Sequence, residues 1–539
     1  MSEAGIRRAL LIAFFFSGAA ALLYEVVWTR ALSLVLGSTV YALSTMLSTF
    51  MAGLAIGAYI GGRVADRGKN LILYFGLLEL GIGVFGIITV PLIYSIPPIY
   101  FKLYKAFHIN PSIYFVSQFL LSASIMLLPA IFMGATFPII SKRLTEDIST
   151  LGKSVGSAYS LNTVGAVLGS LLAGFVLIPT FGIKWSSFAA GCLNIAVGAS
   201  MAFFFSKKRA LLVPFLFFPI IAIFIVKDIE NEHPFLNFYL AERFKDIAQS
   251  KEVEGMHKKV FEAHYPEGTV RGYLFNKYLI IQHGGKLEGT GPGDLINTMM
   301  LALLPTAAHN SNPQDALIIG LGAGITAYTA SLVMDNVSVV EINPGVVEIV
   351  RRFGLPGTIE NISIIKDDGR RFLTRTDSNF DIIISEPSVP SESVSANLFT
   401  KEFYKLASSK LNPGGIFCQG VQGWKLSKQD IRVCIKTFAS AFDYVYVWKS
   451  KQYRQFIMVG SKEPFHMSED KILLKLLAWG IIPKEHLRDI DLALILTPER
   501  VGSIKEMSDV PLNTDDKPYL EFSIAKNFIY GTEYLDFRR

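Results

Sequence analysis

The chain has 539 residues, which is too long for one core, so we expect a few domains. Hydrophobic residues make up 51% of it, charged residues make up 18%, and the mean hydropathy is +0.39. The hydrophobic content and the mean hydropathy exceed what a soluble protein of this size usually has, and the charged content is below the ~25% that is typical of globular domains. The formal net charge is +6, and Lys and Arg cluster in short loops between apolar runs. That pattern is typical of membrane orientation and gives no reason to expect nucleic acid as a partner.

The N-terminal part of the chain is predicted to span a lipid bilayer. A spanning helix needs about 20 mostly apolar residues to cross ~30 Å of hydrocarbon. By this rule we predict seven spans, at residues 7–28, 37–62, 71–95, 112–138, 155–179, 184–206 and 210–227. We therefore expect a transmembrane helical domain over residues 1–230 and a water-exposed part after it.

The positive charges predict a cytoplasmic N-terminus. Groups of Lys and Arg fall before the first span and after the second, fourth and sixth, which places them all on one side. They are Arg7 and Arg8; Arg63, Arg67 and Lys69; Lys142, Arg143 and Lys153; and Lys207, Lys208 and Arg209. Residues 57–69 also resemble the cytoplasmic loop motif between the second and third helices of major facilitator transporters, in agreement with this orientation.

Glu79 is a candidate functional residue of the membrane part, whereas the cysteines are not predicted to bind a metal. Glu79 lies within the third predicted span, and the default interpretation of a carboxylate in lipid is functional, such as contact with an amine or an ion. The three cysteines, Cys192, Cys418 and Cys434, have no metal-ligand spacing and form no disulfide framework. We therefore expect no metal site.

The C-terminal half reads as a small β domain followed by an α/β domain. Short strands are predicted at residues 259–264, 270–275 and 278–283. Strands at 316–319, 337–340, 362–365, 380–385 and 416–419 then alternate with helices, and a hairpin at 443–449 and 454–460 closes the domain. Such alternation predicts a doubly wound, Rossmann-like parallel sheet.

The predicted domain boundaries follow from these elements. We expect a linker at residues 231–258, the small β domain at 259–311, the Rossmann-like domain at 312–465 and a helical or extended tail at 466–539.

Glycines and carboxylates follow three of the predicted strands, at the edge where such sheets bind ligands. Gly320, Gly322 and Gly324 let the backbone turn close to a ligand. Glu341 ends the next strand, where a carboxylate accepts both hydroxyls of a ribose. Asp368 and Gly369 follow the third strand, where a carboxylate can accept from an adenine amino group. Tight packing and helix capping explain each feature singly, whereas all three together predict an adenosyl nucleoside site.

Residues 255–461 resemble the spermidine synthase (polyamine aminopropyltransferase) family, in the variant fused to a membrane domain. Leu-Leu-Tyr-Glu-Val-Val-Trp-Thr-Arg at 22–30 and Thr-Asp-Asp-Lys-Pro-Tyr-Leu-Glu at 514–521 are typical of that variant. The resemblance implies a methyltransferase-type fold and no permanently bound cofactor. Members transfer an aminopropyl group from decarboxylated S-adenosylmethionine, a co-substrate, to an amine and release methylthioadenosine.

The resemblance implies that Glu386 is the catalytic base. The family's Asp-Ser-Ser-Asp-Pro stretch reads Glu-Pro-Ser-Val-Pro at 386–390, so Glu386 stands at the base position with one more methylene. A carboxylate there keeps the attacking amine unprotonated, since a free alkylamine has a pKa near ~10.4. Val389 stands in place of the second Asp, an amine ligand in the family.

Other departures concern the amine contacts. Ala323 replaces the family's Asp that grips the aminopropyl amine, which weakens the case for the decarboxylated donor over S-adenosylmethionine itself. Glu288 stands for a strand-end Gln and joins the predicted nucleoside contacts. Asn297 replaces a substrate-binding Tyr and, with Tyr404, is a candidate for the acceptor site, although Tyr404 also fits a core aromatic. Putrescine as acceptor is therefore doubtful.

Three functions stay open at this point. The first is a membrane-anchored aminopropyltransferase with a small-molecule amine as acceptor. A methyltransferase that uses S-adenosylmethionine is the alternative enzyme, and a polyamine transporter or sensor with a nucleoside-binding domain is the third. Soluble relatives are typically dimers or tetramers, which makes a homodimer possible.

The side of the membrane that carries the soluble domain also stays open. Seven spans from a cytoplasmic N-terminus favour the outside. Adenosyl compounds are made in the cytosol, and a re-entrant seventh run with its two prolines, Pro214 and Pro219, would keep the domain there.

Overall fold

The structure is a computed structural model that forms two compact units. The first unit comprises Met1–Phe107 and Ser112–Glu254, and the second extends from Gly255 to the C-terminus. The structure describes residues 2–107, 111–145, 147–205, 213–228, 244–276, 278–288, 295–354, 361–387, 389–390, 392–423, 426–450, 455–482, 490 and 492–530.

The first unit is helical. Its helices are α1 (Glu3–Leu36), α2 (Val40–Arg67), α3 (Leu71–Tyr94), α4 (Pro97–Phe107), α5 (Pro111–Leu144), α6 (Leu151–Leu172), α7 (Ile178–Phe205), α8 (Val213–Asp228) and α9 (Ile247–Gly255). Within the described ranges, five helical segments are long and apolar enough to cross a membrane. Four of them are α1, α2, α3 and α5. The fifth, Ile148–Phe204, covers α6 and α7 together.

The difference between seven predicted spans and five such segments has a local cause. A π-helical turn, Ala173–Leu177, joins α6 to α7, so the two count as one segment. Gly182 has non-helical backbone angles (φ 78°, ψ 175°) inside it, at the boundary predicted between the fifth and sixth spans. The seventh predicted span corresponds to α8, which has 16 residues with Pro219 inside.

Small residues bring helices of this unit into backbone contact. A Cβ added at Gly165 of α6 would lie 2.0 Å from the Phe15 carbonyl oxygen of α1, and one at Gly169 would lie 1.9 Å from that of Ala19. No side chain fits at such distances, so glycine is required where α1 and α6 meet. This is the close packing that small residues allow between apolar helices.

Glu79 is fully buried within this unit and is hydrogen-bonded to other buried polar groups. Ser17 Oγ donates to Glu79 Oε1 at 2.5 Å, and Asn194 Nδ2 donates to Oε2 at 2.6 Å. The Tyr24 hydroxyl donates to Asn194 Oδ1 at 2.9 Å. Buried polar groups are costly unless they are paired, and this network supplies the pairing.

The second unit begins with a four-stranded antiparallel sheet in sequential order. Its strands are β1 (Lys258–Tyr265), β2 (Gly268–Phe275), β3 (Tyr278–His283) and β4 (Lys286–Glu288). The first three match the predicted strands within two residues at each end. The fourth, only three residues long, was not predicted.

A larger α/β sheet follows. Its strands are β5 (Asp315–Ile319), β6 (Asn336–Glu341), β7 (Ile362–Lys366), β8 (Phe380–Ser385), β9 (Leu411–Gln422), β10 (Tyr444–Ser450), β11 (Gln455–Ser461) and β12 (Leu492–Leu496). Its helices are α10 (Leu295–Ala308), α11 (Ile325–Ser331), α12 (Pro344–Ile349), α13 (Gly369–Arg375), α14 (Ser393–Ala396), α15 (Lys401–Ser409), α16 (Lys428–Ala439), α17 (Glu469–Trp479), α18 (Pro498–Glu506) and α19 (Tyr519–Tyr530).

The strand order is β12-β10-β11-β9-β8-β5-β6-β7. Strands β5 to β9 are mutually parallel, as predicted, whereas β10, β11 and β12 pair antiparallel. The sheet is therefore mixed rather than wholly parallel. Strand β12 lies in the predicted tail, and α10 lies in the predicted small β domain, yet both belong to the larger sheet and its core.

The core of this unit forms where α10 covers one face of the sheet. Ile318, Ile384 and Cys418, from β5, β8 and β9, point to that face together with the buried Leu301 and Leu304 of α10. Each fully buried aliphatic side chain of this size contributes about 1.5–3 kcal/mol. This core fixes the carboxyl ends of β5 and β8, and the chain changes direction across the sheet between those two strands, where open α/β sheets bind ligands.

Candidate nucleoside site

The glycine turn after β5 has a backbone that other residues rarely adopt. Gly320, Gly322 and Gly324 have φ values of 97°, 50° and 84°. A Cβ at Gly320 would lie 3.1 Å from the Glu386 carbonyl oxygen, whereas one at Gly322 would meet open space. Left-handed backbone explains the need for glycine at both positions, and the open space at Gly322 is where a ligand can approach the chain.

Glu341 connects the end of β6 to this turn. Its buried carboxylate accepts from the Leu321 backbone N–H at 2.9 Å through Oε2, and from the Asn343 N–H at 2.8 Å through Oε1. The first bond joins two strand ends that are 20 residues apart in sequence. A carboxylate at this strand end is also the kind of acceptor that ribose hydroxyls bind.

Asp368 and Gly369 lie at the end of β7, and the structure gives each a local role. Asp368 is the N-cap of α13, and its Oδ1 accepts from the Arg371 N–H at 2.8 Å. A Cβ at Gly369 would lie 2.3 Å from Ile319 Cγ2, at the last residue of β5. Gly369 therefore allows α13 to pack on the end of β5. Helix capping leaves the second oxygen of Asp368 for other partners.

Glu386 lies directly after β8, on the other side of β5. Its backbone N–H donates to the Ile319 carbonyl at 3.0 Å, and its Oε2 accepts from Thr326 Oγ1 at 2.7 Å. Burial, with a further contribution from the charge of Glu386, raises the pKa of the Cys418 thiol, so Cys418 stays protonated beside the site. Ser388, in the same stretch, lies outside the described residues, and Val389 is buried.

Two buried polar side chains beside Glu386 were not predicted as site residues. Ser385 and Gln419 are direct neighbours on the parallel strands β8 and β9. Neither the Ser385 hydroxyl nor Gln419 Oε1 has a hydrogen-bond partner in the described part of the chain. An unsatisfied buried polar atom costs about 1–3 kcal/mol, which a bound amine would remove. The only sequence signal was a polar residue at the end of each apolar strand.

Asn297 is buried in α10, close to this group. The carbonyl of its neighbour Thr298 accepts from Thr326 Oγ1 at 3.4 Å, and Thr326 also bonds Glu386. Asn297 Oδ1 has no hydrogen-bond partner among the residues that the structure describes. Contact between Asn297 and the amine substrate therefore stays a prediction. The unsatisfied oxygen of Asn297 supports it.

Tyr404 fits the alternative that the sequence left open. Its ring is fully buried in α15, with centroids 5.9 Å from Phe417 and 5.2 Å from Phe438, and burial raises its pKa well above the usual value. It is part of an aromatic core on the face of the sheet that also carries Gln419. Glu288 ends β4, and its side chain lies outside the described part of the molecule.

Comparison with known proteins shows what this chain is similar to. A model of the spermine/spermidine synthase domain matches residues 294–463. The polyamine aminopropyltransferase of Oceanobacillus iheyensis is 24% identical over 407 residues, which cover 73% of this chain and 73% of that protein. Polyamine aminopropyltransferase 2 of Aquifex aeolicus is 21% identical over 534 residues, or 97% and 99% of the two chains. The similarity to the latter protein therefore includes the helical part.

Among solved structures, a probable spermidine synthase from Corynebacterium glutamicum is similar with a TM-score of 0.36 and 15% identity, over 48% of this chain and 95% of that one. At this TM-score the likeness adds nothing to the topology described above. Residues 294–463 therefore match a spermine/spermidine synthase domain, and the chain is similar over most of its length to polyamine aminopropyltransferases, which supports a transferase of this type.

Proposed function

We propose that this protein is a membrane-anchored aminopropyltransferase that uses decarboxylated S-adenosylmethionine and an amine acceptor other than simple putrescine. The observation that supports this most is the convergence of three strand ends. Leu321 donates to Glu341 at 2.9 Å, and Gly369 packs within van der Waals contact of Ile319. The glycine turn, the ribose-binding candidate and the adenine-binding candidate are thereby joined in one place.

In the proposed reaction the acceptor nitrogen attacks the aminopropyl carbon next to the sulfonium. A nitrogen–carbon bond forms, the carbon–sulfur bond breaks with its electron pair going to sulfur, and methylthioadenosine leaves as a neutral thioether. The acceptor must first lose a proton, and Glu386, beside the glycine turn, takes that proton in this proposal. The remaining contribution is positioning of the two reactants.

The acceptor site is proposed on the side of Glu386 that faces β9. Ser385 Oγ and Gln419 Oε1 are buried oxygen atoms without a hydrogen-bond partner in the described ranges. Asn297 Oδ1 is a third such atom, carried by α10 on the opposite face of the sheet. An alkylammonium or amine supplies N–H donors to such acceptors. With Val389 in place of a carboxylate, this site is less negative than a diamine site with two aspartates, which favours an acceptor with fewer positive charges.

The alternative is a methyltransferase that uses intact S-adenosylmethionine, and Ala323 favours it. Ala323 is buried in the glycine turn and has no carboxylate to hold the primary amine of an aminopropyl donor. The two enzymes differ in product, because aminopropyl transfer releases methylthioadenosine and methyl transfer releases S-adenosylhomocysteine.

The test is incubation of the full-length protein in detergent with each donor and a panel of amines, followed by mass spectrometry of the nucleoside product. We expect methylthioadenosine in the presence of the decarboxylated donor. Release of S-adenosylhomocysteine from the intact donor would replace the proposal with the methyltransferase, and the absence of both products across the panel would refute both enzymes.

We further propose that α1, α2, α3, α5 and the segment of α6 and α7 lie in the lipid bilayer with the N-terminus in the cytoplasm. Their length and apolar composition support this placement. The predicted division into a membrane domain, a small β domain, a Rossmann-like domain and a tail is kept as part of the same proposal, with α10 and β12 assigned to the Rossmann-like domain.

A further inference from the structure

The segment Thr514–Glu521 was noted in the sequence without a role, and it lies against the nucleoside-binding part of the second unit. Asn513, just before it, is buried and anchors it. Asn513 Nδ2 donates to the Phe399 carbonyl at 3.0 Å, and its backbone N–H donates to Thr437 Oγ1 at 3.0 Å. Its carbonyl accepts from the Lys401 N–H at 2.9 Å. These bonds fix the position of the residues that follow.

Asp515 forms a two-pronged ion pair with Arg370 of α13. Arg370 Nη1 donates to Asp515 Oδ1 at 2.8 Å, and Nη2 donates to Oδ2. The backbone N–H of Asp515 donates to Glu402 Oε2 at 3.0 Å. A planar guanidinium that meets a carboxylate in this way is held in one orientation.

Arg370 lies two residues after Asp368, the adenine-binding candidate. The hydrogen bonds with Asp515 are the largest influence that raises the pKa of Arg370, and the charges of Glu402 and Asp368 add to it. The guanidinium donates to Asp515 and, through Nη1 at 3.5 Å, to the Asn397 carbonyl. Its backbone is in the first turn of α13, the helix that Asp368 caps.

We propose that Asp515 is a positioning residue for nucleoside binding, because by holding the guanidinium of Arg370 it leaves the free oxygen of Asp368 to accept from the adenine amino group. This inference rests on the nucleoside site proposed above. Without Asp515, the donors of Arg370 lose their carboxylate partner and keep only the long contact with the Asn397 carbonyl. They then turn to Asp368, the carboxylate two residues away, and the adenine loses its acceptor.

The test measures binding of methylthioadenosine and of its inosine analogue, in which an oxygen replaces the amino group, to the full-length protein by calorimetry. We expect the wild-type protein to prefer methylthioadenosine by about tenfold or more, as for a hydrogen bond to a charged acceptor. In Asp515→Asn this preference should fall to about twofold or less, because the affinity for the adenosine compound alone is reduced.

A second change separates positioning from folding. In the double variant Asp515→Asn with Arg370→Gln, no guanidinium competes for Asp368, so the preference should return to within about threefold of wild type. Asp516→Asn is the matched control, since Asp516 is the neighbouring exposed carboxylate of the same motif, and it should behave as wild type.

The possible results distinguish failure of the role proposed for Asp515 from failure of the proposed nucleoside site. A wild-type protein that binds neither nucleoside overturns the nucleoside site and this inference with it. If the wild type binds but Asp515→Asn keeps the preference, Asp515 has no positioning role. A loss that the double variant fails to restore means that the ion pair only holds the fold together.

Discussion

In the proposed reaction, Glu386 is the residue on which the chemistry depends most directly. Its Oε2 accepts from Thr326 Oγ1, and its backbone N–H donates to the Ile319 carbonyl, so the residue is held beside the glycine turn. For Glu386→Gln we expect turnover to fall by about 10²–10⁴, the usual contribution of a general base. The amide oxygen can still accept from Thr326, so the dissociation constant of the donor should change by less than about threefold.

The measurement is steady-state turnover together with equilibrium binding of the donor. Glu463→Gln is the control, because Glu463 is an exposed carboxylate after β11. Unchanged turnover in Glu386→Gln would remove Glu386 from the chemistry and leave the base to another group.

The position of a single residue was predictable where its neighbours in the sequence determine it, and not where residues distant in the sequence do. The positions of the glycine turn after β5 and of Glu341 at the end of β6 were predictable, because a turn and a strand end leave a signature within a few residues. Ser385 and Gln419 were missed because their meeting depends on the pairing of β8 with β9, which no local pattern reports. The sequence allowed Tyr404 to be either an acceptor-site residue or a core aromatic, and its contacts with other aromatic rings favour the core.

At the scale of elements, Gly369 makes the contact between α13 and β5 possible. For Gly369→Ala the new Cβ would lie 2.3 Å from Ile319 Cγ2, so the helix or the strand must shift. Overpacking of this kind costs about 1–3 kcal/mol. We expect a lower unfolding temperature and weaker nucleoside binding, measured by thermal unfolding and calorimetry.

Gly502→Ala provides the matched control for that change. Gly502 is in α18, and a Cβ there meets nothing within 4 Å. Alanine is favoured over glycine in a helix by about 0.5–1 kcal/mol, so this variant should be at least as stable as wild type. Equal stability of Gly369→Ala and Gly502→Ala would contradict close packing of α13 on β5.

The small antiparallel sheet contains a second element-scale test, the pair formed by Glu262 on β1 and Arg271 on β2. These residues are direct cross-strand partners, with Arg271 Nε donating to Glu262 Oε1 at 3.0 Å. Burial alone would raise the pKa of Glu262, but the charges of Arg271 and Lys259 outweigh it and lower the pKa from 4.5 to about 2. The carboxylate is thus more acidic in the folded protein.

A carboxyl group whose pKa is lower in the folded than in the unfolded protein stabilises the fold. This stabilisation is complete at pH values above the unfolded-state pKa, and it is lost as the pH falls through the folded-state pKa. The window for Glu262 therefore runs from pH 4.5 down to about 2. Glu262→Gln should be less stable than wild type at pH 6, and the difference should shrink steadily below pH 4.5. Urea unfolding at a series of pH values measures this, and a difference that is constant with pH would contradict it.

Prediction of elements succeeded where periodicity is strong and failed where an element is defined by distant partners. The parallel strands β5 to β8 agree with the predicted ones within a residue or two, since each is an apolar run bounded by a turn. Strand β12 was placed in the tail because its apolar run is short, and only antiparallel pairing with β10 makes it part of the sheet. Helix α10 was missed because the strand signals before it suggested a β domain up to residue 311.

At the scale of the whole molecule, the first unit consists of helices, five segments of which are long and apolar, whereas the second is built on two β-sheets. The proposal that the first unit lies in a membrane can be tested directly. The positive-inside rule assigns the connection after α5, with Lys142 and Arg143 before it, to the cytoplasm. The turn after α3 then lies on the opposite side. Exposed serines are present at both places, Ser149 and Ser95, and each can be replaced by cysteine with little change in volume.

We therefore predict opposite labelling of Ser149→Cys and Ser95→Cys by a thiol reagent that does not cross membranes, added to intact cells. Ser95→Cys should be labelled, and Ser149→Cys should be labelled only after the membrane is permeabilised. The parent chain, whose Cys418 and Cys434 are buried and whose Cys192 is half-buried in α7, gives the background. Labelling of both sites from outside, or of neither before permeabilisation, contradicts the proposed orientation. Because α1, α2 and α3 alone separate Ser95 from the N-terminus, the labelling of Ser95→Cys tests whether these three helices cross the bilayer as their length and composition predict. The labelling of Ser149→Cys tests in addition whether α5 crosses it.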